Sequence, residues 1–297
     1  MSRTYQGYLA TFVSAAGFAS FSLFLKLVMH AGVGVWTYTL LSSLGSLVIL
    51  LVMIARQDGP VFPQIGTEWP GYFIFAACGA VSTIAFVLAL VELSISLATM
   101  ILFTYPAFVV LGNWTLFGVR PGRHHLIAVG LTLMGAAMTV NLAEVATGQV
   151  SPLGILYALL TAIAHGMYMV LGHRFAAELP AVSATTLTRI VICLAVLALF
   201  PRASLLQIPH INPAGWYLIA LATLVTGVPP FLFLNVGVDR IGSNKAAVVS
   251  VVELPIAMGL GLLFEGERIT FYQWLGAALI IAALLVSTRH TVLKKVR

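Results

Sequence analysis

The sequence predicts an all-α integral membrane fold: ten transmembrane helices arranged as two inverted five-helix repeats. Three observations carry that expectation. Hydrophobic residues make up 60% of the 297-residue chain and charged residues only 8%, against roughly 25% charged in a soluble domain. Mean hydropathy is +1.04. The second half of the chain repeats the hydropathy pattern and proline placement of the first. A water-soluble surface of this size needs far more charge, which excludes a cytosolic enzyme, a nucleic-acid binder and a disordered chain. Helix is the expected class because lipid forbids open sheet edges, and a barrel would show short alternating strands.

The ten spans fall near 7–29, 35–56, 69–92, 96–118, 124–142, 152–174, 181–200, 214–238, 243–264 and 270–288. Each approaches the 20 or so helical residues that cross about 30 Å of hydrocarbon. Short polar segments separate them: RQDGP at 56–60, RPGR at 120–123, PRAS at 201–204 and EGER at 265–268. The opening MSRTYQG lacks the makings of a removable signal peptide, so the first span is expected to be permanent. The closing RHTVLKKVR reads as a basic tail on the membrane surface.

Ten spans place both termini on one face. That face collects 11 of the 15 Lys and Arg residues, while the opposite loops hold only Arg202 and Arg268. Lys26 lies near the far end of span 1 and Arg189 inside span 7. The bias predicts cytoplasmic termini. Trp36, Trp69, Trp216 and Trp274 each stand at a span start, where amphipathic rings favour the interface. Cys78 and Cys193 fall inside apolar spans without metal-ligand spacing, so neither a disulfide framework nor a metal site is expected.

The repeat shows in the residues. With a shift of 147, Gly7 meets Gly154, Ser14 meets Thr161, Phe18 meets His165 and Phe21 meets Tyr168; with a shift of 149, Pro106 meets Pro255 and Gly112 meets Gly261. Five spans is an odd number, so the second copy enters the membrane from the opposite side. The expected units are 1–148 and 149–297. Inverted repeats of this kind are a common plan for secondary transporters, which bind substrate near mid-membrane between the halves.

Ten helices, a five-plus-five repeat, prolines midway along spans 4 and 9 and short loops resemble the drug/metabolite transporter superfamily. Within it the chain is similar to the EamA-type exporters, and its size and sparing use of charge resemble the bacterial aromatic and neutral amino acid exporters. The resemblance implies residence in a bacterial-type inner membrane, with spans 5 and 10 as scaffolding and the other eight around the path. It also implies a monomer or weak homodimer with no cofactor and no nucleic-acid partner. The family often places Trp midway along spans 1 and 6, where this chain has Phe18 and His165. Many members have Glu directly before the span 9 proline; here the order is Glu253-Leu254-Pro255. Many have Arg in the second span of each half; Arg189 fits, while the first-half position is Ser42.

Ionisable groups within the bilayer are costly, so Lys26, His165, Arg189 and Glu253 are candidates by default. Lys26 is near enough to the interface to snorkel. Arg189 and Glu253 are at similar depth and are read as a possible pair, structural or coupling. His165 shares a helical face with Thr161, Tyr168 and Met169. It is either a core histidine bonded to a carbonyl or a cavity-lining group. The expected substrate-binding set is Phe18, Tyr38, Ser82, Phe103, His165 and Tyr168. Pro106, Pro229 and Pro255 are expected to kink their helices and serve as gates. The small residues Gly130, Gly135, Ala136, Gly276 and Ala277 of spans 5 and 10 predict close helix packing.

Substrate class follows by elimination. A phosphate would need clustered Lys or Arg, and only Arg189 lies mid-membrane. A lipophilic cation would need a buried carboxylate, for which only Glu253 could serve. Rings, hydroxyls and few charges suit a small net-neutral or zwitterionic solute such as an aromatic or neutral amino acid, moved outward by alternating access. Export of amphipathic or cationic compounds is the other reading. No HExxH, GxGD-like or GxxxxGK[ST] pattern occurs, so neither an intramembrane enzyme nor a nucleotide-driven pump is expected.

Overall fold

The computed structural model describes residues 3–56, 68–139, 150–175, 179–199, 201–241, 246, 249–250 and 252–293. The segment 57–60, the junction 140–149, Lys245, and the basic residues Lys294, Lys295 and Arg297 lie outside the described residues. The helices are α1 (Arg3–His30), α2 (Val35–Ala55), α3 (Trp69–Glu92), α4 (Ile95–Leu102), α5 (Tyr105–Phe117) and α6 (Arg123–Thr139). They continue as α7 (Pro152–Phe175), α8 (Ala181–Leu199), α9 (Pro213–Ala222), α10 (Pro229–Ile241), α11 (Glu253–Phe264) and α12 (Phe271–Leu293). Among the described residues seven helical runs are long and apolar enough to cross a membrane, counting 95–117 and 213–241 each as one run. Shorter apolar helices cover 126–138, 253–264 and 271–283, within the remaining three expected spans.

The exterior is apolar where a soluble protein would be charged. Leu9 and Phe12 on α1, Val48 and Leu51 on α2, and Leu194 and Leu197 on α8 all face outward. The first residue of α3, Trp69, is also exposed, as are Trp216 and Trp274 in the first turns of α9 and α12. Polar groups are turned inward instead. Thr11, Thr37, Ser46 and Ser183 are fully buried. Many such hydroxyls donate to the carbonyl one turn back, as Thr11 does to Gly7 (2.9 Å) and Ser46 to Ser42 (2.7 Å). That satisfies a polar group in an apolar medium without a second helix.

Packing runs chiefly between the two halves. α1 lies on α10 and α3 on α7; α1 also meets α11, and α7 meets α4 and α5. α2 packs on α8, and α6 packs on α12. Exchanging spans 1–5 for spans 6–10 sends α1 on α10 to α7 on α3, and α1 on α11 to α7 on α4 and α5. Small residues set the closest approaches. A Cβ on Gly135 of α6 would stand 2.7 Å from the Gly276 carbonyl oxygen of α12. One on Gly17 of α1 would stand 2.7 Å from the Pro230 ring of α10.

The prolines act differently from simple mid-helix kinks. Pro106 lies in the first turn of α5, Pro229 and Pro230 open α10, and Pro255 lies in the first turn of α11. A missing amide costs little in a first turn, where that amide has no intrahelical partner. The fourth expected span is therefore two helices with a break at Phe103–Thr104. The eighth is α9, a π-helical turn at Thr223–Gly227, then α10.

Candidate functional site

A cavity of about 1070 Å³, its mouth included, lies between the halves. The first half contributes Phe18 and Phe21 of α1, Tyr38 and Ser42 of α2, and Ser82 and Phe86 of α3, with Phe103 and Tyr105 at the α4–α5 break. The second half contributes Thr161, His165 and Tyr168 of α7, Arg189 of α8, Thr226 and Gly227 of the π turn, Phe231 of α10 and Glu253 of α11. Among the described residues, none of α6 or α12 lines it. All six residues expected to bind substrate thus share one cavity with Arg189 and Glu253. Pro106, Pro229 and Pro255 are not part of its lining. The repeat-related pairs Phe18 with His165 and Phe21 with Tyr168 all face the same space, two from each half.

The walls are a connected set of rings. Phe18 meets Phe231 edge-on at 4.9 Å between centroids, and Phe21 stacks on Phe86 at 6.2 Å. Tyr168 stacks on Phe75 at 4.5 Å and stands edge-on to Phe231 at 6.3 Å. His165 meets Tyr105 edge-on at 4.9 Å. Among the described residues His165 makes no hydrogen bond to a carbonyl, and it lines the cavity. Edge and offset contacts hold rings at fixed angles, each adding about 0.5–1.5 kcal/mol beyond burial.

The hydroxyls of the cavity are of two kinds. Thr39, Thr83, Thr161 and Thr226 donate to the carbonyls of Val35, Gly79, Tyr157 and Ala222, at 2.7–2.9 Å. With their protons committed, they offer a ligand only lone pairs. Among the described residues the hydroxyls of Tyr38 and Tyr168 are buried and meet no partner in hydrogen-bond geometry. Thr226 and Ser42 stand beside Tyr38, and Thr188 and Asn235 beside Tyr168, but none meets hydrogen-bond geometry.

The charges do not pair as expected. Among the described residues no salt bridge joins Arg189 to Glu253. Arg189 instead donates to the Gly227 carbonyl at the end of the π turn, with its guanidinium 5.4 Å from the Phe231 centroid. The helix breaks at Val228, and that break exposes the Gly227 carbonyl. Thr226 and Gly227 were missed in the sequence; the Pro229-Pro230 pair, one residue beyond Gly227, was the available signal. Lys26 is near the end of α1, beside segments that link the spans. It is half-buried, donates 3.3 Å to the Leu93 carbonyl and lies in the field of Glu265 and Glu267.

The EamA-like transporter family matches residues 5–141 and again residues 152–289. This chain belongs to the EamA-like transporter family. The two matches cover α1–α6 and α7–α12, and the membership makes it an integral membrane transporter. Among relatives of this EamA protein, the uncharacterized transporter sll1319 of Synechocystis sp. is 26% identical over 215 residues. That alignment covers 68% of this chain and 62% of the relative, so the chain spans less than two thirds of that protein's length. The uncharacterized transporter YcbK of Bacillus subtilis is 24% identical over 284 residues, covering 91% of this chain and 88% of YcbK. The uncharacterized transporter YwfM of Bacillus subtilis is 25% identical over 82% of this chain and 79% of its own. A solved crystal structure superposes with a TM-score of 0.61 at 20% identity, covering 97% of this chain and 98% of that one. It shows that the two chains share a fold and no more.

Proposed function

We propose that this EamA protein exports a small net-neutral or zwitterionic solute, an aromatic or neutral amino acid, by alternating access between two inverted halves. The observation that carries the reading is the charge balance of the cavity. Arg189 and Glu253 both line it, do not pair, and are set among rings and lone-pair hydroxyls. A solute with one positive and one negative end brings no excess charge into such a site, whereas a phosphate or a lone cation leaves one protein charge uncompensated. The rings supply an apolar surface for the side chain. The two halves rock about this shared cavity, with the proline-marked helix starts of α5, α10 and α11 as bending points. The excess of Lys and Arg on one face supports cytoplasmic termini, and the family resemblance supports an inner-membrane location. The working unit is a monomer or weak homodimer.

Purified protein in vesicles, assayed with labelled phenylalanine, tryptophan, leucine and alanine, tests the proposal. Saturable flux of at least one supports it. No flux of any, alongside flux of a cation or a phosphate ester, ends it. The second reading, export of amphipathic cations, draws support from the Glu253 carboxylate on the cavity wall.

A further inference from the structure

Arginine has five N–H donors and no acceptor. Among the described residues Arg189 uses one hydrogen bond, to the Gly227 carbonyl, and meets no carboxylate within salt-bridge distance. Its residue is 5% exposed. The ring of Phe231 stabilises the guanidinium through its face but accepts no N–H in the usual sense. Two tyrosine hydroxyls share its electrostatic neighbourhood, those of Tyr38 and Tyr168. They come from α2 of the first half and α7 of the second, are 1% and 4% exposed, and line the same cavity. Among the described residues neither meets a partner in hydrogen-bond geometry. A buried phenol with a free proton is costly, and so is a guanidinium with unused donors. All three groups can donate, and all three residues line the cavity. The group that satisfies them together is an acceptor with negative charge.

We propose that Arg189, Tyr38 and Tyr168 form an anion subsite in the cavity wall that takes the carboxylate of the transported solute. A carboxylate fits better than a phosphate. It is planar and singly charged, matches the guanidinium fork, and is neutralised by one arginine; a phosphate dianion would leave a net charge in the path. The threonines, with protons committed to their own helices, leave lone pairs for the ammonium end. The polarity of the cavity thus has a direction, acceptor-seeking at Arg189 and donor-seeking at the threonines. This rests on the proposed zwitterionic substrate only for the second, ammonium end; the carboxylate subsite stands without it.

The test is binding to the full-length protein in detergent, by radioligand competition. The probes are phenylalanine, phenylalaninamide, 3-phenylpropanoate and phenyl phosphate. Wild type is expected to bind phenylalanine at least tenfold more tightly than the amide, which keeps the ring and the ammonium. Tyr38→Phe and Tyr168→Phe remove one oxygen each, and each is expected to weaken phenylalanine by about tenfold while leaving the amide within about twofold. Arg189→Gln is expected to abolish the preference for the acid. Should Arg189→Gln fail to fold, the two Phe variants still decide the matter. Equal binding of acid and amide by wild type overturns the subsite and leaves amino acid transport standing. So does equal weakening of both ligands by the Phe variants. Arg189-dependent binding of 3-phenylpropanoate without binding of phenylalanine supports the subsite and ends the zwitterion reading. Tighter binding of phenyl phosphate than of either carboxylate overturns both.

Discussion

Glu267 is the best place to perturb the contact between the halves. It follows α11 in the second half, yet its carboxylate accepts from two backbone amides at the start of α4 in the first half: Oε1 from Ile95 (2.5 Å) and Oε2 from Ser96 (3.1 Å). Ser94 caps the next amide, Leu97, at 3.3 Å. The first-turn donors of α4 are thus satisfied partly from within and partly across the interface. Lys26 joins the same cluster through the Leu93 carbonyl. Glu267→Gln keeps the shape, removes the charge and turns one acceptor into a donor that faces an amide. Losing one charge-assisted bond costs about 1.5–3 kcal/mol, and losing the anion at a helix N-terminus costs about 0.3–1 more. At about 1.4 kcal/mol per tenfold, a total near 2–4 kcal/mol shifts the balance away from the state joined at this end by about 30- to 1000-fold. The assay is labelling of Ser82→Cys in the cavity by a membrane-impermeant thiol reagent from the Glu267 side. The native Cys78 and Cys193 are first replaced by serine. Labelling is expected to accelerate in Glu267→Gln. An unchanged rate in a variant with a normal gel-filtration profile would show that this carboxylate does not hold the halves together.

Other substitutions probe packing and site separately. Gly135→Leu places a side chain against the Gly276 backbone oxygen, which stands 2.7 Å from a Cβ there; overpacking of about 1–3 kcal/mol is expected to lower the melting temperature in detergent while flux per folded molecule persists. Gly79→Val presses on Thr188 and on the Tyr168 ring, 2.6 Å and 3.0 Å from a Cβ at that position; flux per folded molecule is expected to fall in addition to the overpacking loss of stability, because the displaced ring lines the cavity. Glu253→Gln is expected to leave neutral amino acid flux measurable; conversion of a cation exporter to an inactive protein by the same change would favour the second reading.

Much of the site was legible because the repeat is legible. Phe18 and Phe21 align with His165 and Tyr168 in sequence, and all four meet in one cavity. Ring and hydroxyl residues at helical spacing on α1, α2, α3 and α7 have to face inward, since lipid rejects the hydroxyls. The fate of each charge was not legible. Arg189 and Glu253 were at matching depth, but depth does not fix rotation about a helix axis. Arg189 instead meets a carbonyl that only a π turn before Pro229 makes available. Glu267 read as loop punctuation, because nothing local in EGER shows that α4 begins opposite it.

Composition by itself determined that this chain lives in lipid as helices, since unpaired backbone polar groups have no partner in hydrocarbon. Its proline and glycine placement determined where those helices start and which ones pack closely. Tertiary structure alone decided which donors are left unused, because hydrogen-bond satisfaction is a property of positions across helices and not of residues along one. Arg189, Tyr38 and Tyr168 stand on three helices from both halves, and only the fold brings their unpaired protons to one wall.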